Sequence, residues 1–496
     1  MPAEPTADRP AETSVSAADP LSAAQRVAVA ELMRVSPVTD ELGRIFAAAG
    51  HELYLVGGSV RDVLLGRAGT DLDFCTDARP ERVLELVRPW ADGVWDLGIE
   101  FGTVGAAKGG LRLEITTYRA EAYDRVTRNP VVRYGESLAD DLVRRDFTVN
   151  AMAVSLPEHR FADPYGGLAD LTARVLRTPG TPEESFGDDP LRMLRAARFV
   201  AQLRFTPAPE VVAAMRDMAG EIERITAERV RDELTKLICG ADPVAGLRLL
   251  VETGLADHVL PELPGMRMEI DEHAQHKDVY EHTLTVLEQA VALEEDGPDP
   301  VLRWAALLHD IGKPATRRAE PGEKVSFHHH EVVGAKLARK RLKALRFPKD
   351  TTEQIADLVF LHLRFHGFGR GEWTDSAVRR YVTDAGDLLP RLHKLVRSDS
   401  TTRNRRKAAR LSEDYDALEQ RIAALRAQED LNRVRPDLDG NAIMTLLGVP
   451  PGPIVGRAWK HLKELRLDRG PLSRDEAEAE LQRWAVAEGI ARPDRE

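Results

Sequence analysis

Two acids, Asp71 and Asp73, flank Leu72 in the segment TDLDF, and a third, Glu114, interrupts the apolar run from Leu111 to Thr117. In an extended strand, residues two apart point to the same face, so Asp71 and Asp73 can converge on one metal centre. Hard carboxylate oxygens suit Mg²⁺, which also takes oxygens from substrate phosphates. Three acids on adjacent strands could position two metals, one activating a hydroxyl nucleophile and one clamping a leaving pyrophosphate. Just ahead, Gly57-Gly58-Ser59 sits between an apolar strand and a helix start, where glycines let backbone N–H groups approach a triphosphate. An isolated Asp-x-Asp more often caps a helix or solvates a turn; its spacing from Gly57-Gly58-Ser59 and the company of Glu114 reverse that weighting.

A second constellation lies further on: His282 in VYEHTL, the adjacent His309 and Asp310 in LLHDIGK, and Asp399 in VRSDS. Imidazole with carboxylate suits a transition metal or Mg²⁺ and would activate water on a phosphoester. His330, His362 and His366 are candidates for a second metal. Of the triplet His328-His329-His330, which otherwise reads as a solvent patch, only His330 ahead of Glu331 is taken as a ligand. The densest basic stretch runs from Arg391 to Arg397 and on through Arg403, Arg405, Arg406, Lys407 and Arg410, followed by the acids Glu413, Asp414 and Asp416. It is either a surface that neutralises RNA phosphates or a self-balanced solvated helix.

The elements that must hold these groups are legible from hydrophobic period. Leu53–Val56 and Leu72–Cys75 read as strands, and Phe101–Ala107 and Leu111–Thr117 as a hairpin about Lys108-Gly109-Gly110. From about residue 176 strand signals vanish, and Pro190–Phe199 and Ala227–Ile238 show helical spacing with Arg-rich faces. The expected order is a disordered tail (1–20), a mixed head (37–175), a helical neck (176–264), a helical histidine-rich domain (265–400) and a helical tail (401–496). With 496 residues, 43% of them hydrophobic, there is chain for about three domains. Two cysteines, Cys75 and Cys239, exclude a disulfide scaffold and a Cys-rich zinc module. The net charge of −12, from 69 Lys and Arg against 81 Asp and Glu, argues against indiscriminate nucleic-acid binding. No apolar run reaches a membrane-spanning length, and the first residues lack a basic and apolar leader, so a cytoplasmic location and no membrane partner are expected.

GGSVRDVLLGR followed by TDLDF resembles the first motif of the tRNA nucleotidyltransferase and poly(A) polymerase family, within the polymerase β-like superfamily. RRDFTVNAMA (144–153) is similar to that family's ribose-recognition motif, DPYGG (163–167) to its head–neck hinge, and DDPLRMLRAARF (188–199) to its neck-helix motif. Around His309-Asp310 the chain resembles the HD phosphohydrolase superfamily. LDGNAIMTLLGVPPGPIVGRAWKHL (438–462) resembles the tail of bacterial members.

The resemblance implies an α+β fold: a small mixed nucleotidyltransferase head, then an all-helical neck, an HD-type helical domain and a helical tail. Asp71, Asp73 and Glu114 would be catalytic, holding Mg²⁺. Gly58, Ser59, Arg61 and Asp62 would surround the triphosphate, and Arg145, Asp146 and Asn150 would contact the ribose. Asp189 and Arg192, expected on one helix face at i and i+3, would read the incoming base. Arg195 and Arg198 join them as nucleotide-binding candidates. Asp188 stands where the family usually has Glu. His282, His309, Asp310 and Asp399, with His330 and His362, would bind a divalent metal of open identity. Arg403, Arg405, Arg406, Lys407, Arg457 and Lys460 would contact RNA.

The implied activity is template-independent addition of CCA to the 3′ end of tRNA from CTP and ATP, with release of pyrophosphate. Poly(A), A-only or C-only addition shares all the head motifs. The polar loop between Arg119 and Arg144 leans towards full CCA addition. A metal phosphohydrolase centred on the HD domain, with the head as an RNA-binding module, is the reading from another class.

Overall fold

A computed structural model describes residues 36–67, 69–96, 98–99, 102–118, 135, 137–268, 278–320, 324–367, 374–401, 405–429 and 435–490. The expected disordered tail and most of the loop after Arg119 lie outside them. The chain forms two compact units, Met1–Ile225 and Thr226–Glu496.

The first unit begins with α1 (Pro37–Ala48), capped by Ser36, whose hydroxyl accepts the Val38 N–H. There follow β1 (Leu53–Val56), α2 (Gly58–Leu64), β2 (Asp71–Thr76), α3 (Pro80–Val87), β3 (Gly93–Trp95), β4 (Thr103–Lys108) and β5 (Leu111–Thr117). After α4 (Leu138–Val143) and a 3₁₀ turn (Thr148–Asn150) come β6 (Ala153–Ser155) and β7 (Phe161–Ala162). Strands β1 to β7 make one sheet in the order β3-β4-β5-β2-β1-β6-β7. Within this sheet β2 and β5 pair in parallel and the other described pairs antiparallel, with Asp71 opposite Arg112 and Asp73 opposite Glu114. Leu72, Phe74, Leu113 and Ile115 are buried, while Asp71, Asp73, Arg112 and Glu114 are exposed. The period-two pattern therefore sends Leu72, Phe74, Leu113 and Ile115 inward and Asp71, Asp73, Arg112 and Glu114 to one open face.

The unit closes with α5 (Gly167–Ala173), β8 (Val175–Leu176), α6 (Pro182–Asp188), α7 (Leu191–Leu203), β9 (Thr206–Pro207) and α8 (Pro209–Asp217). The structure corrects three expectations. Residues 138–143, read as loop, form α4, nucleated by Ser137, whose side chain accepts the Asp140 N–H. Short strand pairs also occur after residue 175: β8 with β9 here, and β10 with β11 in the second unit. Asp189 does not share a helix with Arg192. It is extended (φ −139°, ψ 98°) between α6 and α7, because the ring of Pro190 crowds the α conformation of the residue before it.

The second unit is helical: α9 (Ala227–Ile238), α10 (Pro243–Glu252), α11 (Leu255–Val259), α12 (Glu262–Gly265), α13 (Val279–Ala292), α14 (Pro300–Leu308) and α15 (Lys313–Thr316). The hairpin β10 (Arg318–Glu320) and β11 (Lys324–Ser326) leads to α16 (His330–Ala344), α17 (Lys349–Leu361), α18 (Arg364–Gly367), α19 (Asp375–Ala385), α20 (Leu389–Ser398) and α21 (Arg405–Gln428). Three last helices, α22 (Gly440–Leu447), α23 (Pro453–Arg469) and α24 (Arg474–Ala487), enclose a core of Ile443, Leu447, Ala458, Leu462, Ala477 and Leu481. Helix α14 is buried along its whole length from Leu302 to Leu308 and so can carry His309 into the interior. Among the described residues no helix is long and apolar enough to cross a membrane.

Candidate functional site

In the first unit the turn from β1 into α2 is the sharpest local device. Gly57 has φ +71°, a conformation that favours glycine, and a Cβ there would press on the tip of Arg145 at 2.6 Å from Nη1. Ser59 turns its hydroxyl to β2, accepting the Asp73 N–H at 2.9 Å, which fixes the turn against the strand that carries both aspartates. Asp73 has its carboxyl pushed above the ordinary aspartate range, first by partial desolvation and then by Glu114 and Asp71, with Arg145 and Arg61 opposing. An open face of three carboxylates, two of them raising the proton affinity of Asp73 between them, is the donor set a divalent cation fits.

Beside it runs a connected chain of polar side chains. Arg61 donates to Asp62 (2.9 Å) and to Asn150 Oδ1 (2.6 Å). Asn150 Nδ2 donates to Asp146 Oδ1 at 2.8 Å, and Arg195 Nε donates to Asp146 Oδ2 at 2.7 Å. Although burial opposes it, Asp146 is held well below the usual carboxylate range by Arg195 and the Asn150 amide. Arg145 instead donates to Asp141 of α4 at 2.9 Å. The structure thus brings Arg61, Asp62, Asn150, Asp146 and Arg195 into one network.

Asp189 and Arg192 sit at the α6–α7 junction, with the Arg192 charge still acting on Asp146. Asp189 accepts the Leu191 N–H at 3.1 Å, capping α7. Arg192 donates to the Ser185 hydroxyl at 2.9 Å and to the Arg144 carbonyl. Arg198 is buried, its guanidinium 4.5 Å from the Phe199 ring centre.

In the second unit His309 ends α14, His330 opens α16 and His362 follows α17. Gly312 sets their approach: a Cβ there would fall 2.2 Å from the His330 carbonyl oxygen. Each of the three imidazoles donates Nδ1–H to a carbonyl three residues back, His309 to Ala306 (2.8 Å), His330 to Phe327 (2.8 Å) and His362 to Val359 (2.6 Å). That bond turns Nε2 inward, leaving it as the nitrogen that faces the cluster. His362 Nε2 is buried with no hydrogen-bond partner among the described residues, and His330 Nε2, also buried, faces only the Asp310 carboxylate. Asp310 lies between two groups, its Oδ2 3.4 Å from His282 Nε2 and 3.2 Å from His309 Nε2, its Oδ1 3.3 Å from His330 Nε2. Asp399 Oδ1 is 2.9 Å from His282 Nε2.

Burial would lower the pKa of His309, but Asp310 and Asp399 hold it up at about 10. Burial and the charge of His309 push His362 down to about 4. Two sets, His282-His309-Asp310 and Asp310-His330-His362, have ligand atoms close enough to share an ion. Buried imidazole nitrogens gathered around one bridging carboxylate, with that of His362 left without a hydrogen-bond partner, fit a divalent metal.

His328 and His329 are exposed and His330 is buried; the side chain of His366 lies outside the described residues. Lys313, which donates to Asp310 Oδ2 at 2.6 Å, and Thr401, hydrogen-bonded to His282 Nδ1 at 3.0 Å, were not picked out from sequence. Lys313 was visible there as a cation three residues after Asp310. Of the basic residues expected at RNA, Arg403 and the side chains of Arg405 and Lys407 lie outside the described residues; Arg406 and Lys460 are exposed, and Arg457 pairs with Glu488 at 3.0 Å. In the stretch before them, Arg391 pairs with Asp299 and Arg397 with Asp416 and Glu419, so part of that charge is balanced internally.

Residues 53–177 match the Poly A polymerase head domain, residues 204–266 the probable RNA and SrmB-binding site of polymerase A, and residues 279–404 the HD domain. The chain is 37% identical over 449 residues to the A-adding tRNA nucleotidyltransferase of Deinococcus radiodurans, covering 87% of this chain and 95% of that one. It is 32% identical over 441 residues to the CC-adding tRNA nucleotidyltransferase of Thermus thermophilus, covering 87% and 94%. In structure it is similar to the Bacillus stearothermophilus CCA-adding enzyme in complex with CTP, with a TM-score of 0.64, 26% identity, and coverage of 91% of this chain and 98% of that one.

Proposed function

Because the chain belongs to the family of tRNA nucleotidyltransferases and poly(A) polymerases, we propose that it adds C, C and A to the 3′ end of tRNA from CTP and ATP. The observation that carries this reading is the open face on which Asp71, Asp73 and Glu114 stand in register beside the Gly57–Ser59 turn. Asp71, Asp73 and Glu114 would hold divalent cations, with Mg²⁺ the ion their oxygens suit. Such ions, when bound, supply Lewis-acid charge at the α-phosphorus and the leaving pyrophosphate. Gly57 and Gly58 let the backbone at the start of α2 meet the triphosphate. Asn150 and Asp146, braced by Arg61 and Arg195, present a fixed polar edge to the ribose. Fixed groups of this kind contribute positioning, which is most of what phosphoryl transfer requires. Asp189 and Arg192 remain the base-reading pair by resemblance. Their present bonds, to the Leu191 N–H and to Ser185, hold each at the α6–α7 junction.

Incubation with a tRNA transcript lacking CCA should lengthen it and release one pyrophosphate per nucleotide added. An RNA left unchanged with both CTP and ATP present would refute the reading. Restricted A-only or CC-only addition is the second reading, supported by the names of two relatives matched along most of their length, where others matched as fully are named CCA-adding enzymes. A further activity at the His/Asp cluster, hydrolysis of a phosphoester, is supported by the buried imidazole Nε2 atoms gathered around Asp310. It is tested by metal-dependent cleavage of p-nitrophenyl phosphate and its loss in a His309→Ala, Asp310→Ala double variant.

A further inference from the structure

The carboxylate face continues across the sheet beyond Glu114. Perpendicular to the strands, the paired positions run from Trp95 on β3 to Gly105 on β4, Glu114 on β5 and Asp73 on β2. Directly paired residues share a face, so the indole and the carboxylates stand on the same side. Gly105 leaves the space and the indole takes it: a Cβ on Gly105 would lie 1.8 Å from Trp95 Nε1 and 2.1 Å from Cε2. The ring therefore lies across β4 next to Glu114. Arg112, in the adjacent row, has its guanidinium 5.4 Å from the indole centre and its Nε 3.9 Å from Asp71 Oδ1. Trp95 is half-buried, and Arg112, Glu114 and Asp73 are exposed. An indole paired with a guanidinium on an open polar face is the equipment with which proteins stack unpaired bases.

The strand order assigns the sides. The Gly57–Ser59 turn and the Arg61-Asn150-Asp146 network follow β1, on one side of Asp71 and Asp73; β5, β4 and β3 lie on the other. In-line displacement places the attacking oxygen opposite the leaving pyrophosphate. With the triphosphate towards β1, the RNA's 3′ hydroxyl arrives from the side of β5 and β4, where Trp95 lies. We infer that Trp95, laid over Gly105 and braced by Arg112, is the stacking platform for the 3′-terminal base of the RNA being extended. This rests on the function proposed above. A π-face reads no hydrogen-bonding edge, so one platform serves each terminal base that successive additions create.

The test is steady-state addition of A by the full chain to a transcript ending in CC, and to the same transcript with an abasic 3′-terminal nucleotide. Trp95→Leu should raise the KM for RNA about tenfold while leaving the KM for ATP within about twofold, and Trp95→Phe should recover most of the loss. Gly105→Ala, which displaces the indole without removing it, should raise the RNA KM in the same way. Deleting the terminal base should cost the wild type about tenfold and the Trp95→Leu variant little. If the abasic penalty is equal in wild type and variant, or the loss falls on ATP alone, the platform is refuted while the function stands. If the wild type extends no RNA at all, the function is refuted and the platform with it.

Discussion

Asp73 sits where the electrostatics of the head are most crowded, with Glu114 and Asp71 on its own face and Arg145 and Arg61 nearby. Two flanking carboxylates make Asp73 a poor free anion and a good cation ligand. Asp73→Asn should lower single-turnover nucleotide addition about 10³-fold while leaving CTP binding measurable by equilibrium dialysis. Asp146 has the opposite environment, an anion held by Arg195 and the Asn150 amide despite burial. Its folded pKa lies below the ordinary 3.8, so its stabilising contribution is fully present above that value. The contribution is lost as pH falls below 3.8 towards the depressed folded value. Asp146→Asn should therefore cost about 2 kcal/mol near pH 7, with the gap to wild type closing below about pH 4 in urea midpoints. The carboxylates and histidines were legible in sequence because their types are rare in apolar strands and helices. Lys313 was passed over because a lysine after a turn is ordinary until its ammonium is seen 2.6 Å from Asp310.

Elements decide whether those residues meet. The β1–α2 turn depends on one backbone position, Gly57 at φ +71° against Arg145. Gly57→Ala should destabilise the unit by about 1–2 kcal/mol and raise the KM for CTP and ATP, measured by thermal melting and steady-state kinetics. Strands β1, β2, β4 and β5 were readable from apolar alternation and the Lys108-Gly109-Gly110 turn, because a half-buried sheet imposes period two on its sequence. The parallel pairing of β2 with β5, which puts Asp73 opposite Glu114, was not readable, since register between distant strands is set by tertiary packing. The i, i+3 reading of Asp189 and Arg192 failed on a signal that was present: a residue before proline is driven out of the helix. Likewise Ser137, three residues before Asp140, announces α4 inside a stretch whose polarity suggested loop.

At the scale of the whole molecule, the carboxylate face belongs to the unit Met1–Ile225 and the His/Asp cluster to the unit Thr226–Glu496. The carboxylates named for the first site lie in one unit and the His/Asp ligands named for the second in the other, so their chemistries should separate. A His309→Ala, Asp310→Ala variant should lose its bound divalent metal by elemental analysis yet keep nucleotide addition within about threefold, because no residue of the head changes. The head should build a complete CCA end. The direct measurement uses tRNA transcripts ending before CCA, after C and after CC, each incubated with CTP, ATP or both and resolved to single nucleotides. The account predicts that all three grow to one common end at CCA, with C added before A. Extension of only the CC-ended transcript, arrest of the others after CC, or unlimited A addition would contradict it.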